Sequence, residues 1–174
     1  MPFRGLPVRT AITAVLTLIS VSTASVLLPG CGRSGGAGGG GAVRLAPPHP
    51  APPASARCTA LARMLPSRLD GQPRRVVSPD SPLTAAWGDP PITLRCGVPL
   101  PAALTPASQL VAVNNVSWFA QPAGSATPDR FTEVGREAYV EVSVPARYSP
   151  AGPILVAVSN AIAPAVPAKA GGRI

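Results

Sequence analysis

The stretch Trp87-Gly-Asp-Pro-Pro-Ile-Thr-Leu-Arg-Cys-Gly-Val-Pro-Leu-Pro101 leaves the chain less conformational choice than any other. Asp89-Pro90-Pro91 cannot lie inside a helix, because proline fixes φ, lacks a donor and pushes the preceding residue toward extended backbone. A strand therefore starts at about Ile92. Ile92, Leu94 and Cys96 share one face and Thr93, Arg95 and Gly97 the other, the period of two expected of a half-buried strand. Gly97 and Pro99 end the run, and Trp87 is large enough to plug one end of a small core. The segment reads first as structure, a Trp-capped strand with an inward cysteine. Asp89 and Arg95 are its candidates for a binding site.

Ahead of this stretch the chain reads as an export signal followed by a spacer. Arg4 and Arg9 form a short basic region before an apolar run from Ala11 to Leu28. The run is at the lower edge of what spans a bilayer, so residues 1–30 are expected to be either a signal peptide or an uncleaved signal anchor. Leu28-Pro29-Gly30-Cys31 resembles the lipobox of bacterial lipoproteins, which implies lipidation of Cys31; Pro29 departs from the small residue usual there. Either route holds the protein at the extracytoplasmic face of the cell membrane. Residues 31–54 are Gly- and Pro-rich, bury little, and are expected to form a flexible tether. The only histidine, His49, falls inside it.

What remains, residues 55–167, has the length of one small domain. Ser55 is a plausible N-cap for a helix with Cys58, Leu61 and Leu65 on one side, stopped by Pro66. Asp70-Gly71 makes a turn, and Arg74 to Val77 reads as a short edge strand. After the central strand, Asn114-Asn115 joins two apolar segments as a tight hairpin, since Asn tolerates positive φ. Residues 121–129 form a polar loop. Arg130 to Val134 reads as a strand, Gly135-Arg136 as its turn, and Glu137 to Val144 as the clearest strand of the chain. On that strand Ala138, Val140, Val142 and Val144 face the core, while Glu137, Tyr139, Glu141 and Ser143 face water. Pro153 opens a second helix bearing Ile154, Leu155, Val158 and Ile162, ended by Pro164 and Pro167. Residues 168–174 are expected to be a disordered tail. The sum is an α+β domain: a small antiparallel sheet of four or five strands, with an N-terminal and a C-terminal helix on one face.

Three cysteines divide cleanly. With Cys31 reserved for lipid, Cys58 and Cys96 face one core in an oxidising compartment and are expected to form a disulfide. A redox-active pair would want a C-x-x-C spacing, which is absent. The formal charge of +8 is carried by scattered arginines, two of them in the targeting signal, without the basic stripe and interleaved aromatics of a nucleic-acid binder. The folded segment has no histidine to serve a Ser or Cys nucleophile. Glu137 and Glu141 stand about 13 Å apart on an ideal strand, too far for a retaining glycosidase pair. Neither a metal nor a cofactor site is expected, and no catalytic residue is assigned.

The residues also carry a resemblance. Cys58 with Leu61 and Leu65-Pro66, the run Ala85 to Gly97, Val113-Asn-Asn-Val-Ser-Trp118, and Arg136 with Tyr139 to Val142 and Val144-Pro145 resemble an actinobacterial family of short exported proteins known as domain of unknown function 3515. The resemblance implies an N-terminal membrane segment and a small extracytoplasmic domain, and no activity. The expected function is accordingly non-catalytic: an envelope protein that binds another envelope protein or a cell-wall component. Arg95, Arg136, Tyr139 and Glu141 are expected on its wet face, with Asp89 as a further candidate. Arginine supplies bidentate recognition of carboxylate or phosphate, and tyrosine a stacking surface. The alternative is a small-molecule carrier for a lipid or glycan, with a cavity behind Trp87 and Trp118.

Overall fold

Pairing of strands around Ile92–Cys96 decides the architecture. The computed structural model describes residues 40–121 and 129–172. The strands are β1 (Val43–Arg44), β2 (Arg68–Leu69), β3 (Gln72–Arg75), β4 (Val77–Ser78), β5 (Thr84–Trp87), β6 (Ile92–Cys96), β7 (Val111–Val113), β8 (Val116–Gln121), β9 (Asp129–Val134) and β10 (Val140–Val144). The helices are α1 (Pro52–Met64) and α2 (Gly152–Ala165). Eight strands form one antiparallel sheet in the order β2-β3-β5-β6-β10-β9-β8-β7, and β1 pairs in parallel with β4. The sheet is thus wider than the four or five strands expected. The strands not expected, β2 and β5, are short and lack an alternating pattern of their own, and β3 occupies Gln72–Arg75 where a strand was expected at Arg74 to Val77. They become strands by pairing onto β6, directly or through one another.

The register sorts side chains into two layers. Ile92, Leu94 and Cys96 lie on one face with Val140, Val142, Phe131, Val116 and Trp118. Both helices cover that face. Cys58 of α1 is disulfide-bonded to Cys96, with the Cα atoms 5.5 Å apart, and the Trp118 indole N–H donates to Ser159 Oγ on α2 at 3.0 Å. Trp87 is fully buried and its N–H donates to the Pro66 carbonyl at 3.0 Å. The opposite face carries Thr93, Arg95, Glu141, Ser143, Thr132 and Arg130. The Asn114-Asn115 hairpin is present, with both residues at positive φ (49° and 61°) and Val113 opposite Val116.

Several boundaries differ from the sequence expectation, each for a local reason. The first helix begins at Pro52 rather than after Ser55, because two prolines in its first turn have preset φ and no N–H that would need a partner. From Gly40 on, the stretch expected to be a free tether is bound to the domain. Arg75 Nη2 donates to the carbonyls of Gly40 and Gly41 at 3.0 and 2.9 Å, and Val43 N donates to the Val76 carbonyl at 2.8 Å. Pro50 sits over Gly97, where an added Cβ would come within 2.5 Å of the proline ring and where φ is +89°. Gly97 is therefore both a strand terminator and the seat of the incoming chain. The second helix runs through Pro164 to Ala165, since a proline one residue from the end forfeits a single backbone bond. The expected tail is held at its start: Lys169 N donates to the Gly135 carbonyl at 2.9 Å, and Ala168 bridges to Arg136. Residues 1–39, including the expected signal segment and Cys31, residues 122–128 of the expected polar loop, and residues 173–174 lie outside the described residues.

The disulfide joins α1 to the middle of the sheet across a sequence separation of 38. Cross-linking a loop of that size stabilises by about 4 kcal/mol in the chain-entropy model. The double variant Cys58→Ser/Cys96→Ser is expected to lose roughly that much in urea unfolding, with wild-type protein losing the same amount only after reduction.

Candidate functional site

On the face away from the helices, Glu141 is the middle of a charged triplet. It stands opposite Arg95 on β6 and opposite Thr132 on β9, with Arg130 one step along the same side of β9. Arg95 Nη1 lies 3.3 Å from Glu141 Oε1, and Arg130 Nε lies 3.4 Å from Oε2. One carboxylate thus answers two guanidiniums, one oxygen to each. Glu141 is mostly covered (15 % exposed), whereas the Arg95 and Arg130 side chains are 35 % and 53 % exposed. Arg95 Nε and the Thr132 hydroxyl are buried without a hydrogen-bond partner. The triplet floors a cleft of about 560 Å³ whose other wall is the proline-rich segment Val98–Ala103, with Gln121 at its side. The three charged groups sum to one positive charge, facing an apolar wall.

A second cleft, of about 570 Å³, shares Arg95, Val98 and Pro99 with the first and is closed by His49, Pro50, Glu137 and Tyr139. His49, placed in the tether by the sequence reading, is thus exposed on the domain. The Tyr139 hydroxyl and ring are both met by the Lys169 ammonium. Glu137 forms an exposed ion pair with Arg57 at 2.7 Å, of the kind worth at most about 1 kcal/mol.

Asp89 sits apart, at the opposite end of β6 from Arg95, in a cleft of about 650 Å³ with Gln72, Arg74 and Arg75. The two arginines of this larger cleft are committed to structure. Arg75 Nη1 donates to the Gly88 carbonyl at 2.8 Å in addition to its two bonds with the N-terminal chain. Arg74 lies over the Trp87 ring, 5.2 Å from its centre, and burial lowers its pKa. The Asp89 carbonyl accepts from Arg147 at 2.7 Å.

Arg136 was expected on the wet face and lies instead under the end of α2, 8 % exposed. Its Nη1 donates to the Val166 carbonyl at 2.6 Å and to Ala163 O at 3.4 Å, and its Nη2 to Asn115 O at 2.7 Å. Gly135, at φ +97°, turns the chain inward, and the negative end of the helix dipole favours a cation there. Beside it, 4.0 Å from Arg136 Nε, is Glu133, fully buried on the helix face opposite Trp118 with neither carboxyl oxygen hydrogen-bonded. Burial pushes this carboxyl up to about 8, against weaker opposing pulls from Arg136 and Lys169. Burial thus favours its neutral, protonated form.

Of the five candidates read from sequence, the structure brings Arg95 and Glu141 together, places Tyr139 in the adjoining cleft, and separates Asp89 and Arg136 from them. Arg130 and Thr132 were missed. Their signal was the alternation of β9, which puts both on the face of Glu141 once that strand is paired with β10. Among the described residues no three His, Cys, Asp or Glu side chains gather as metal ligands, and no helix is long and apolar enough to cross a membrane. Trp87 and Trp118 are packed in the core, and neither lines any of the three clefts. The model of one protein family, described as protein of unknown function (DUF3515), matches residues 11–171. No curated protein and no solved structure matches the chain.

Glu133 makes stability depend on pH with a defined sign. Its carboxyl ionises near 4.5 when unfolded and near 8 when folded, so between those values the folded state holds the extra proton. Stability then falls as pH rises from about 4.5 to about 8, by roughly a few kcal/mol, and this contribution is flat outside that window. Glu133→Gln is expected to abolish this fall and to exceed wild type in urea midpoint above pH 8.

Proposed function

The chain belongs to the DUF3515 family of proteins of unknown function, and from that premise we propose that it is a non-catalytic binding domain held at the extracytoplasmic face of the membrane. The reading rests above all on the Arg95–Glu141–Arg130 triplet at the floor of an accessible cleft. Its two arginines exceed the one carboxylate by a single positive charge and keep exposed surface, which suits recognition of a partner's negative charge. A disulfide fits an oxidising compartment, and the N-terminal apolar run with Leu28-Pro-Gly-Cys31 supplies a means of anchoring, by lipid on Cys31 or by the uncleaved segment. The partner is an envelope protein or a cell-wall component carrying negative charge.

Anchoring and binding are tested separately. Intact mass of the protein from membranes is expected to show a diacylated species beginning at Cys31, or an unprocessed chain if the anchor is kept; a soluble chain lacking both sinks the membrane assignment. Crosslinking in intact cells is expected to join the wild-type domain to an envelope component, with yield falling several-fold for the double variant Arg95→Ala/Arg130→Ala. Equal yield from both would remove the cleft as the binding face.

A further inference from the structure

We infer that the cleft between Arg95, Arg130 and the Val98–Ala103 segment recognises a carboxylate joined to an apolar segment. The inference rests on the reading of this face as the binding surface and adds the chemistry of what it binds. Charge comes first. Two guanidiniums and one carboxylate leave a single positive charge in the triplet, which one monoanion neutralises and a dianion overshoots. Shape agrees, because the planar fork of arginine matches the planar carboxylate.

Glu141 already shows the match, since its own carboxylate reaches both arginines at once. It holds each through only one oxygen, at 3.3 and 3.4 Å, longer than the 2.7–2.9 Å of a strong charge-assisted bond. Both arginines keep exposed surface toward the cleft, so an incoming carboxylate gains contacts that Glu141 leaves unused. The apolar half of the ligand follows from the facing wall. Val98, Leu100, Ala102 and Ala103 line the cleft opposite the charges, and Leu100 is a large hydrophobic side chain left 39 % exposed. A volume of about 560 Å³ lies in the range of small-ligand sites, with room for a head and a short chain.

Glu141 occupies the position of a competitor, and this gives a test that a structural role does not mimic. Isothermal titration of the full chain at low ionic strength uses octanoate, acetate, octyl glucoside, octyl phosphate and methyl octyl phosphate as probes. Octanoate is expected to bind, acetate more weakly, and octyl glucoside not measurably. Arg95→Gln and Arg130→Gln should each weaken octanoate about tenfold, the loss of one charge-assisted contact. Glu141→Gln should tighten it by a similar factor, because the repelling charge goes while the side chain keeps its shape. Leu100→Ser should weaken octanoate and leave acetate unchanged.

Equal binding of octyl glucoside, no binding of octanoate, or weaker binding by Glu141→Gln overturns the proposal. Preference for either phosphate probe over octanoate overturns the carboxylate in favour of a phosphorylated ligand. Failure of the ligand class alone is recognised when the cellular crosslink still depends on Arg95 and Arg130; failure of both shows the face itself to be wrongly assigned.

Discussion

The Arg136 guanidinium ties together three parts of the chain that no covalent bond joins. It satisfies carbonyls at the end of α2, a carbonyl of the Asn114-Asn115 hairpin, and the local field around buried Glu133. A buried cation with this many acceptors is favourable where an unpaired one would cost several kcal/mol. Its placement obliges Gly135 to turn the backbone and obliges the chain after α2 to return beside it, through the bonds from Lys169 N to Gly135 O and from Glu137 N to Pro167 O. Arg136 thus caps carbonyls at the end of the second helix.

Elsewhere the same task falls to the disulfide and to Arg75. Cys58–Cys96 pins α1 to the sheet, while Arg75 and the Pro50–Gly97 contact lay the N-terminal chain along its edge. With helices on one face, the opposite face is left to carry polar side chains, and there strand register sets Glu141 between its two arginines. The sheet thus separates two polar groups: Arg136 beside buried Glu133 beneath the helices, and Arg95, Glu141 and Arg130, the proposed binding surface, on the other side.

Much of the fold was legible locally. Asp89-Pro90-Pro91 marked the start of β6, Asn114-Asn115 the hairpin, Pro153 the start of α2, and alternation from Ala138 to Val144 the inward face of β10. The short strands β2 and β5 were not, because Arg68-Leu69 and Thr84-Ala-Ala-Trp87 have no strand pattern apart from the partners they pair with, and the strand expected at Arg74 to Val77 lies two residues earlier, at Gln72–Arg75. Arg136 was misplaced for a related reason. A Gly-Arg pair after a strand looks like a solvated turn, and nothing nearby in the chain announces that helix carbonyls arrive from thirty residues further on. Arg130 and Thr132 were likewise visible as residues of a strand, but not as neighbours of Glu141.

The amino-acid sequence by itself determined the local constraints: where proline and glycine forbid or permit a conformation, which strand faces are apolar, and which two cysteines share the core. These depend on covalent geometry and on side-chain periodicity, which act within a few residues. Only the tertiary structure decided which charges meet. Strand order and register are global, since each pairing competes with every other and is selected by the packing of the whole core. That selection brought Arg95, Glu141 and Arg130 to one cleft and buried Arg136 beneath a helix, although all four are charged residues of strands or turns in the same sheet.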